Sequence, residues 1–464
     1  MYKFAVAVVA GFLLITGRGS AESVPSSAPS DQTAYRRAVD AVIWGMPIVS
    51  YNANRQAYFR DAKAKYNDII WWPKGSGWKN QGLTVNTSVR YMFYFSNSKQ
   101  DGPIVVQLPP AVPGASFYGT IVDAWFVPLV DIGVAGAGGK YLVLPPGYTG
   151  TIPGGYTVVR AKTYNTSALI RSIVRSLSPA DVAAANALVA RVKVYPLSKA
   201  TNPPPQRLID MSNIESNGLV HYDSTFFSSL AEMINEEPVQ SRDLEMLGML
   251  LPLGIEKGKT FAPNAEMTGQ LNRAAADAHA WLIAKRTTFV TPWWPHSRWA
   301  IPSILQNKGP DYWDNANYVD VDSRGLALSF FYYPTAKLGS GSFYFGTYAD
   351  SQGRPLQGEN SYRLHVPPKV PVSQFWAFTV YSQDTAALFR NSTHLTIDSL
   401  DRNVKKNADG SIDIYIGPTA PPGEESNWVY TAPGQTWFPW FRVYGPQKGI
   451  FDKSWRLPDI EKVQ

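Results

Sequence analysis

The chain has 464 residues, with 43 Lys+Arg against 36 Asp+Glu and a formal net charge of +7. Only 17% of residues are charged and 13% are aromatic, with 36 Gly and 36 Pro, a composition that excludes long solvated helices and charged disordered tails and favours short strands joined by turns. There is no cysteine, which excludes a disulfide framework, thiolate metal sites and a cysteine nucleophile.

Residues 1–21 read as a secretory signal peptide: Lys3 gives the positive end, Phe4 to Ile15 the apolar stretch, and Gly19-Ser20-Ala21 the small-residue cleavage site. The expected destination is the periplasm or the extracellular medium, with no transmembrane segment in the mature protein. A flexible leader from Val24 to Ser30 precedes a helix predicted from Thr33, capped by Asp31, with Ala34, Ala38, Ala41 and Val42 at helical spacing. Leader and helix are assigned to residues 22–60.

Residues 61–200 are predicted as a first β-sandwich. Its strands are Val89–Phe95, Ile104–Leu108, Phe117–Trp125, Tyr141–Leu144 and Tyr156–Ala161, and helices are expected at Asn165–Ser176 and Pro179–Arg191. Residues 201–315 are assigned to a helical connecting segment with helices at Asp223–Glu236, Ser241–Leu251 and Asn264–Lys285. Residues 316–464 form the second predicted sandwich, with strands at Leu326–Tyr332, Phe343–Tyr348, Tyr362–Val366, Phe375–Tyr381, Ile412–Ile416 and Trp440–Tyr444.

An internal repeat supports two related sandwiches. Leu108-Pro109-Pro110-Ala111-Val112-Pro113 followed by Phe117-Tyr118 returns as Val366-Pro367-Pro368-Lys369-Val370-Pro371 followed by Phe375-Trp376, at a constant offset of 258. Consecutive prolines cannot donate ladder hydrogen bonds, so they end one strand and stiffen the bend into the next. Tyr141–Leu144 then runs into Pro145-Pro146-Gly147, as Ile412–Ile416 runs into Pro421-Pro422-Gly423, and a strand carrying Arg160 or Arg442 is expected to close each copy. The fold class is mainly β with inserted helices (α+β): two jelly-roll-like sandwiches joined by a helical segment.

These residues resemble a family of exported bacterial proteins that pair a DUF1254 domain with a DUF1214 domain. The likeness lies in Tyr35–Tyr51, Thr84 to Tyr94, Gly102-Pro103-Ile104-Val105-Val106 and Gly139 to Gly147. It continues in Lys406 to Ser411, Glu425-Ser426-Asn427-Trp428 and Phe441 to Pro446. The resemblance implies two jelly-roll-like sandwiches arranged as in double-jelly-roll capsid subunits, hence a homo-oligomer such as a trimer, and no settled activity. It also exposes a departure. Many relatives carry Asn-Asn-Asp-Thr before a tyrosine, whereas this chain has Asn86-Thr87-Ser88-Val89-Arg90-Tyr91. Ser88 replaces the acid, so an acidic role in relatives does not transfer, and Arg90 beside Tyr91 offers the opposite charge, which suggests a different ligand or none.

Chemistry-bearing residues are few. His221, His279, His296, His365 and His394 show no H-x-H, H-x-x-H or H-E-x-x-H spacing, so no metal site is expected. No G-x-S-x-G elbow occurs, Gly339-Ser340-Gly341-Ser342 having the wrong spacing, and no glycine-rich nucleotide loop occurs, so no cofactor is expected. Lys405-Lys406 and Arg36-Arg37 are isolated basic pairs, which argues against nucleic acid as a partner.

Asp123, near Trp125 and Asp131, is the candidate catalytic group, a general acid if its pKa is raised and a turn former otherwise. Tyr381 holds its place in the second copy. Candidate ligand contacts are Arg90, Tyr91, Trp125, Arg363, His365, Asn427, Trp428, Arg442 and Tyr444. Arg363 and His365 share one strand face, as do Arg442 and Tyr444. Asn427-Trp428 pairs an amide with a flat ring, a combination that grips sugars. Three readings follow: binding or processing of a small polar organic molecule such as a carbohydrate; a non-catalytic, self-assembling structural protein; and a hydrolase whose site assembles only in three dimensions.

Overall fold

The structure, a computed structural model, describes residues 29–463 apart from 177, 289, 303–312, 315–316 and 332–340. The expected signal peptide lies outside the described residues. The chain opens with α1 (Pro29–Asp61), which starts ahead of the expected cap at Asp31. Ala38, Ala41, Val42, Trp44, Met46, Ile48, Val49 and Tyr51 are all buried, so the middle of α1 is enclosed on every side rather than amphipathic.

The first β-rich half contains β1 (Ile69–Trp71), β2 (Asn80–Gln81), β3 (Arg90–Asn97), α2 (Ser98–Asp101), β4 (Ile104–Leu108), β5 (Ala115–Asp123) and β6 (Pro128–Ile132). It continues with β7 (Gly139–Leu144), β8 (Thr157–Arg160), β9 (Asn165–Val174), α3 (Pro179–Val189), β10 (Lys193–Pro196), β11 (Leu208–Asp210) and β12 (Ser216–Asn217). The connecting helices are α4 (Ser224–Glu236), α5 (Leu244–Leu250) and α6 (Ala265–Arg286). Side-chain caps start two of them: Asp223 accepts from the Thr225 amide at 2.8 Å, and Asn264 from that of Met267 at 2.8 Å.

The second half contains β13 (Val290–Pro292), β14 (Ala300–Pro302), α7 (Val321–Ala327), β15 (Ser342–Gly346), β16 (Ser361–Val366), β17 (Trp376–Ser382) and β18 (Thr396–Asp398). It closes with β19 (Ile412–Gly417), β20 (Trp428–Tyr430), β21 (Trp437–Tyr444), α8 (Lys448–Phe451) and β22 (Glu461–Val463).

The two halves share the order of their main strands, differing at the edge, where β11 is parallel to β1 but β13 antiparallel to β14, and in the additional β2–β12 pair of the first. Six-stranded sheets run β11-β1-β3-β9-β5-β6 and β13-β14-β15-β21-β17-β18, and four-stranded sheets run β10-β4-β7-β8 and β22-β16-β19-β20. In both, the strand before the proline corner lies in the small sheet and the strand after it in the large one. The pairs β7–β8 and β19–β20 are both parallel. Between the sheets of the first half, Met92, Val106, Phe117, Ile121, Val143 and Ile170 form a core. The equivalent layer of the second includes Leu364, Val366, Trp376, Phe378, Ile414 and Phe441.

Four expectations are corrected. Asn165–Ser176, expected as a helix, is strand β9, paired along its length with β3 and β5. Two flanking strands satisfy its backbone, and Ile170, Ile173 and Val174 suit a pleated surface. Leu326–Tyr332, expected as a strand, begins inside α7, which Asp320 caps by accepting from the Ser323 amide at 3.0 Å; Tyr332 lies outside the described residues. Arg160 and Arg442 are not counterparts: Arg160 ends β8, which matches β20, whereas Arg442 lies in β21, which matches β9. The large sheets also overrun the expected boundaries, drawing β11 from beyond residue 200 and β13 and β14 from before residue 316.

The helices pack between the halves. Arg55 of α1, almost fully buried, pairs with Glu236 of α4 at 2.7 Å and donates to Asn165 of β9 at 3.0 Å, tying three elements together. At Gly325 of α7, a Cβ would lie 2.3 Å from the Ile43 carbonyl oxygen, so α7 meets α1 backbone to backbone.

Candidate functional site

The loop between β2 and β3 lies against the second half. The Thr84 amide donates to the Ala386 carbonyl at 2.7 Å, and the Tyr381 hydroxyl donates to the Val85 carbonyl at 2.8 Å. Thr87 Oγ1 meets Thr396 Oγ1 at 2.7 Å, Ser88 Oγ donates to Asp398 Oδ2 at 2.5 Å, and the Asn86 amide donates to the Tyr444 hydroxyl. The Asn86-Thr87-Ser88 motif is thus a clasp between the halves. Burial pushes the Asp398 carboxyl up, with the Ser88 hydroxyl opposing.

Beside this clasp, six strands assemble a cluster of arginines and tyrosines. β9 places Arg171 across from Tyr91 of β3 and Tyr118 of β5, with its guanidinium 5.8 and 6.0 Å from their ring centroids. β21 places Arg442 across from Tyr344 of β15, 5.2 Å from its ring. Arg442 is fixed by hydrogen bonds to the Tyr381 hydroxyl at 2.7 Å and the Thr84 carbonyl at 2.9 Å.

Burial opposes charge on both guanidiniums, but the surrounding tyrosines outweigh it and hold them firmly protonated. The tyrosines respond in opposite senses. Burial drives Tyr444 well above the ordinary phenol value. Burial also acts against ionisation of Tyr344, yet Arg171 and Arg442 prevail and hold that phenol below its usual range. Ser342 Oγ donates to the Tyr344 hydroxyl at 3.2 Å.

A cavity of about 440 Å³ opens at this seam, lined by residues of both halves that include Tyr118, Arg171, Ser172, Ser342, Phe375 and Tyr444. Its lining includes the turn after β6, where Gly133, Ala135 and Gly136 all have positive φ. A side chain at Gly133 would collide with the Phe117 carbonyl, so this turn needs glycine to close on the sheet.

Of the residues singled out from the sequence, Tyr91, Arg442 and Tyr444 meet in this cluster. Arg90 neighbours Tyr91 but faces the other way, donating from Nε to the Pro73 carbonyl at 2.8 Å. Asp123 is buried with Oδ1 accepting from the Trp125 and Val127 amides at 2.8 and 3.0 Å, the geometry of a turn former. Trp125 packs on Trp44 at 4.9 Å with the Arg324 guanidinium 5.2 Å from its ring.

The remaining four residues belong to the small sheet of the second half or to the turn leading into it. Arg363 pairs with Glu461 at 3.0 Å, and His365 Nδ1 meets Asp413 Oδ1 at 2.8 Å. Asn427 accepts from the Lys405 amide at 2.8 Å and donates to the Lys405 and Asp413 carbonyls, both at 2.9 Å, so its amide is spent on the backbone. Trp428 donates to the Gly417 carbonyl at 3.0 Å and its ring lies 4.7 Å from that of His394.

Sequence reasoning missed Arg171, Tyr118 and Tyr344. Arg171 was hidden by the helical reading of its segment; the β-branched residues around it were the signal for a strand, which would have placed it on the face away from Ile170. Among the described residues, no three His, Cys, Asp or Glu side chains gather as metal ligands, and no helix is long and apolar enough to cross a membrane.

Residues 66–196 match the family described as "Protein of unknown function (DUF1254)", and residues 341–448 match "Protein of unknown function (DUF1214)". The crystal structure of the VPA0106 protein from Vibrio parahaemolyticus is similar at 16% identity and a TM-score of 0.54, covering 93% of this chain and 100% of that one. At that identity the likeness bears on the fold alone. An uncharacterised protein from Burkholderia cenocepacia matches at 12% identity and a TM-score of 0.40, over 93% of this chain and 94% of that one. No curated protein matches the chain. With the two matched regions in tandem and together spanning just over half of its 464 residues, the chain belongs to the DUF1254–DUF1214 tandem family.

Proposed function

We propose that the protein binds a small polar organic molecule in the cavity between its two β-sandwiches. The observation that carries this reading is the cavity itself. About 440 Å³ suits a small ligand, and a seam between domains is a preferred place for one. Its walls combine apolar residues such as Val89, Phe375 and Leu400 with a few convergent polar groups, among them Arg171, Ser172 and Ser342. Apolar walls supply burial while a small number of polar contacts fix orientation. Asn427-Trp428, the pair suited to a sugar, has its polar groups already bonded, so the seam is the better place to seek the ligand.

Thermal-shift screening of the full chain against sugars, organic acids and amides tests the reading, since a ligand that binds only the folded state raises the melting temperature. Ser116 lines the cavity, and Ser116→Trp places a large ring in it. Loss of every ligand-induced shift in S116W is expected; retention of all of them overturns the reading. The export signal read in residues 1–21 supports a site of binding outside the cytoplasm. Mass spectrometry of the protein recovered from the periplasm or medium checks it, the expected form beginning at Glu22.

A further inference from the structure

Two guanidiniums stand at the seam, and the groups that act most strongly on them are tyrosines: Tyr91, Tyr344, Tyr444 and Tyr118 for Arg171, and Tyr381, Tyr444, Tyr344 and Tyr91 for Arg442. A neutral phenol meets a guanidinium with a hydroxyl and a ring face and no full counter-charge, and Tyr344 is the phenol these two arginines hold below its usual range. Removing charge from water without a counter-charge is costly. The two arginines differ in what they have left to give. Arg442 spends its donors on Tyr381 and Thr84, whereas the half-buried Arg171 lines the cavity. Among the described residues that line the cavity, none is acidic. The Ser172 and Ser342 hydroxyls lie along the same lining, while Val89, Phe375 and Leu400 present apolar surface.

We propose that the cavity takes an organic monoanion, a planar carboxylate on an apolar or aromatic body, with Arg171 holding the carboxylate; this rests on the cavity being the binding site. The guanidinium fork matches the two oxygens of a carboxylate in one plane, and the ring faces of Tyr91 and Tyr118 keep that fork from turning. The carboxylate supplies a negative charge that none of the described lining residues carries, and the apolar body fills the walls beyond it.

Calorimetric titration of the full chain with benzoate, benzamide, inorganic phosphate and glucose tests this. Benzoate is expected to bind, with benzamide, nearly the same in shape but neutral, at least about tenfold weaker, as loss of a charge-assisted hydrogen bond implies. Arg171→Met is expected to weaken benzoate at least about tenfold and to leave benzamide unchanged. Equal binding of benzoate and benzamide, benzoate binding unaffected in R171M, phosphate binding as tightly as benzoate, or a preference for glucose each overturns the carboxylate while leaving the cavity as a binding site. Silence from all four probes, with no shift in the wider thermal screen, overturns both. Should R171M fail to fold by circular dichroism, the benzoate–benzamide comparison on the unaltered chain decides, supported by Arg171→Lys, which keeps charge but loses the fork.

Discussion

Arg442 and Tyr344 face each other across neighbouring strands of the second half, with the guanidinium 5.2 Å from the ring centroid. Arg171, from the first half, acts on the same phenol, so one tyrosine senses cations from both sandwiches. A titration of Tyr344 therefore reports on the seam as a whole.

Tyr344 is expected to ionise below the other buried tyrosines, because Arg171 and Arg442 outweigh its burial. Its lowered folded pKa means that ionisation adds stability as pH rises through the folded value toward the unfolded value of about 10, and that this stability is lost as pH falls back through it. Ultraviolet titration should show the earliest phenolate signal vanish in Tyr344→Phe and move upward in Arg442→Met. Urea unfolding should show wild type gaining on Y344F as pH rises toward the unfolded value of about 10. An unchanged first phenolate signal in Y344F would assign it to another residue.

Ser88 occupies the position where the family resemblance leads one to expect an acid, and here it donates to Asp398 at 2.5 Å. Ser88→Asp places two carboxylates together in a buried seam, where both cannot comfortably ionise. A loss of about 2 kcal/mol is expected near neutral pH, from the lost hydrogen bond plus like-charge repulsion. The loss should shrink in acid as one carboxyl takes a proton. Denaturant midpoints across that range check it, and a pH-independent loss would point to packing instead.

Glu237 is buried at the end of α4, where it accepts from the Tyr164 and Asn165 amides and from the Asn165 side chain at 2.6, 3.0 and 2.7 Å. Burial nevertheless pushes its carboxyl up to about 7. A raised acid pKa contributes stability that is present below the unfolded value of about 4.5 and lost as pH rises through the folded one. The group should therefore cost about 3 kcal/mol between those limits, since each pKa unit is ~1.4 kcal/mol. Glu237→Gln should flatten that decline while lowering stability at acid pH, because its amide hydrogens would meet donors. Unfolding free energies at both limits measure the slope, and an unaltered slope would place the titrating group elsewhere.

Gly325 touches the backbone of α1. Gly325→Ala sets a methyl 2.3 Å from the Ile43 carbonyl oxygen, and backbone cannot swing aside as a side chain can. Overpacking of this kind costs about 2 kcal/mol. A lower melting temperature for G325A is expected, and one equal to wild type would show that α7 and α1 separate freely.

Much of the architecture was legible because its signals are local. The corners at Pro109-Pro110 and Pro367-Pro368 end β4 and β16 at matching points, and the matched sheet orders follow. The helices expected from Pro179, Asp223 and Asn264 form with side-chain caps at Ser178, Asp223 and Asn264. The candidate site was legible only in fragments. Arg442 and Tyr444 shared a face by simple alternation, but nothing in their neighbourhood named Tyr91 or Arg171 as companions. Asn427-Trp428 read as an amide beside a ring, but its polar atoms are bonded to the backbone at Lys405, Asp413 and Gly417, which only the fold brings near.

The amino-acid sequence alone determined that this protein is a duplicated strand–corner–strand unit with helices between, because proline geometry, capping and alternation act over a few residues. Tertiary structure decided that Asn165–Val174 is a strand, since the segment gains hydrogen bonds on both edges only once β3 and β5 flank it. It also decided that two arginines from different halves share one cluster of phenols. That meeting depends on how two sheets dock through the Asn86-Thr87-Ser88 clasp, a long-range contact that no local preference encodes.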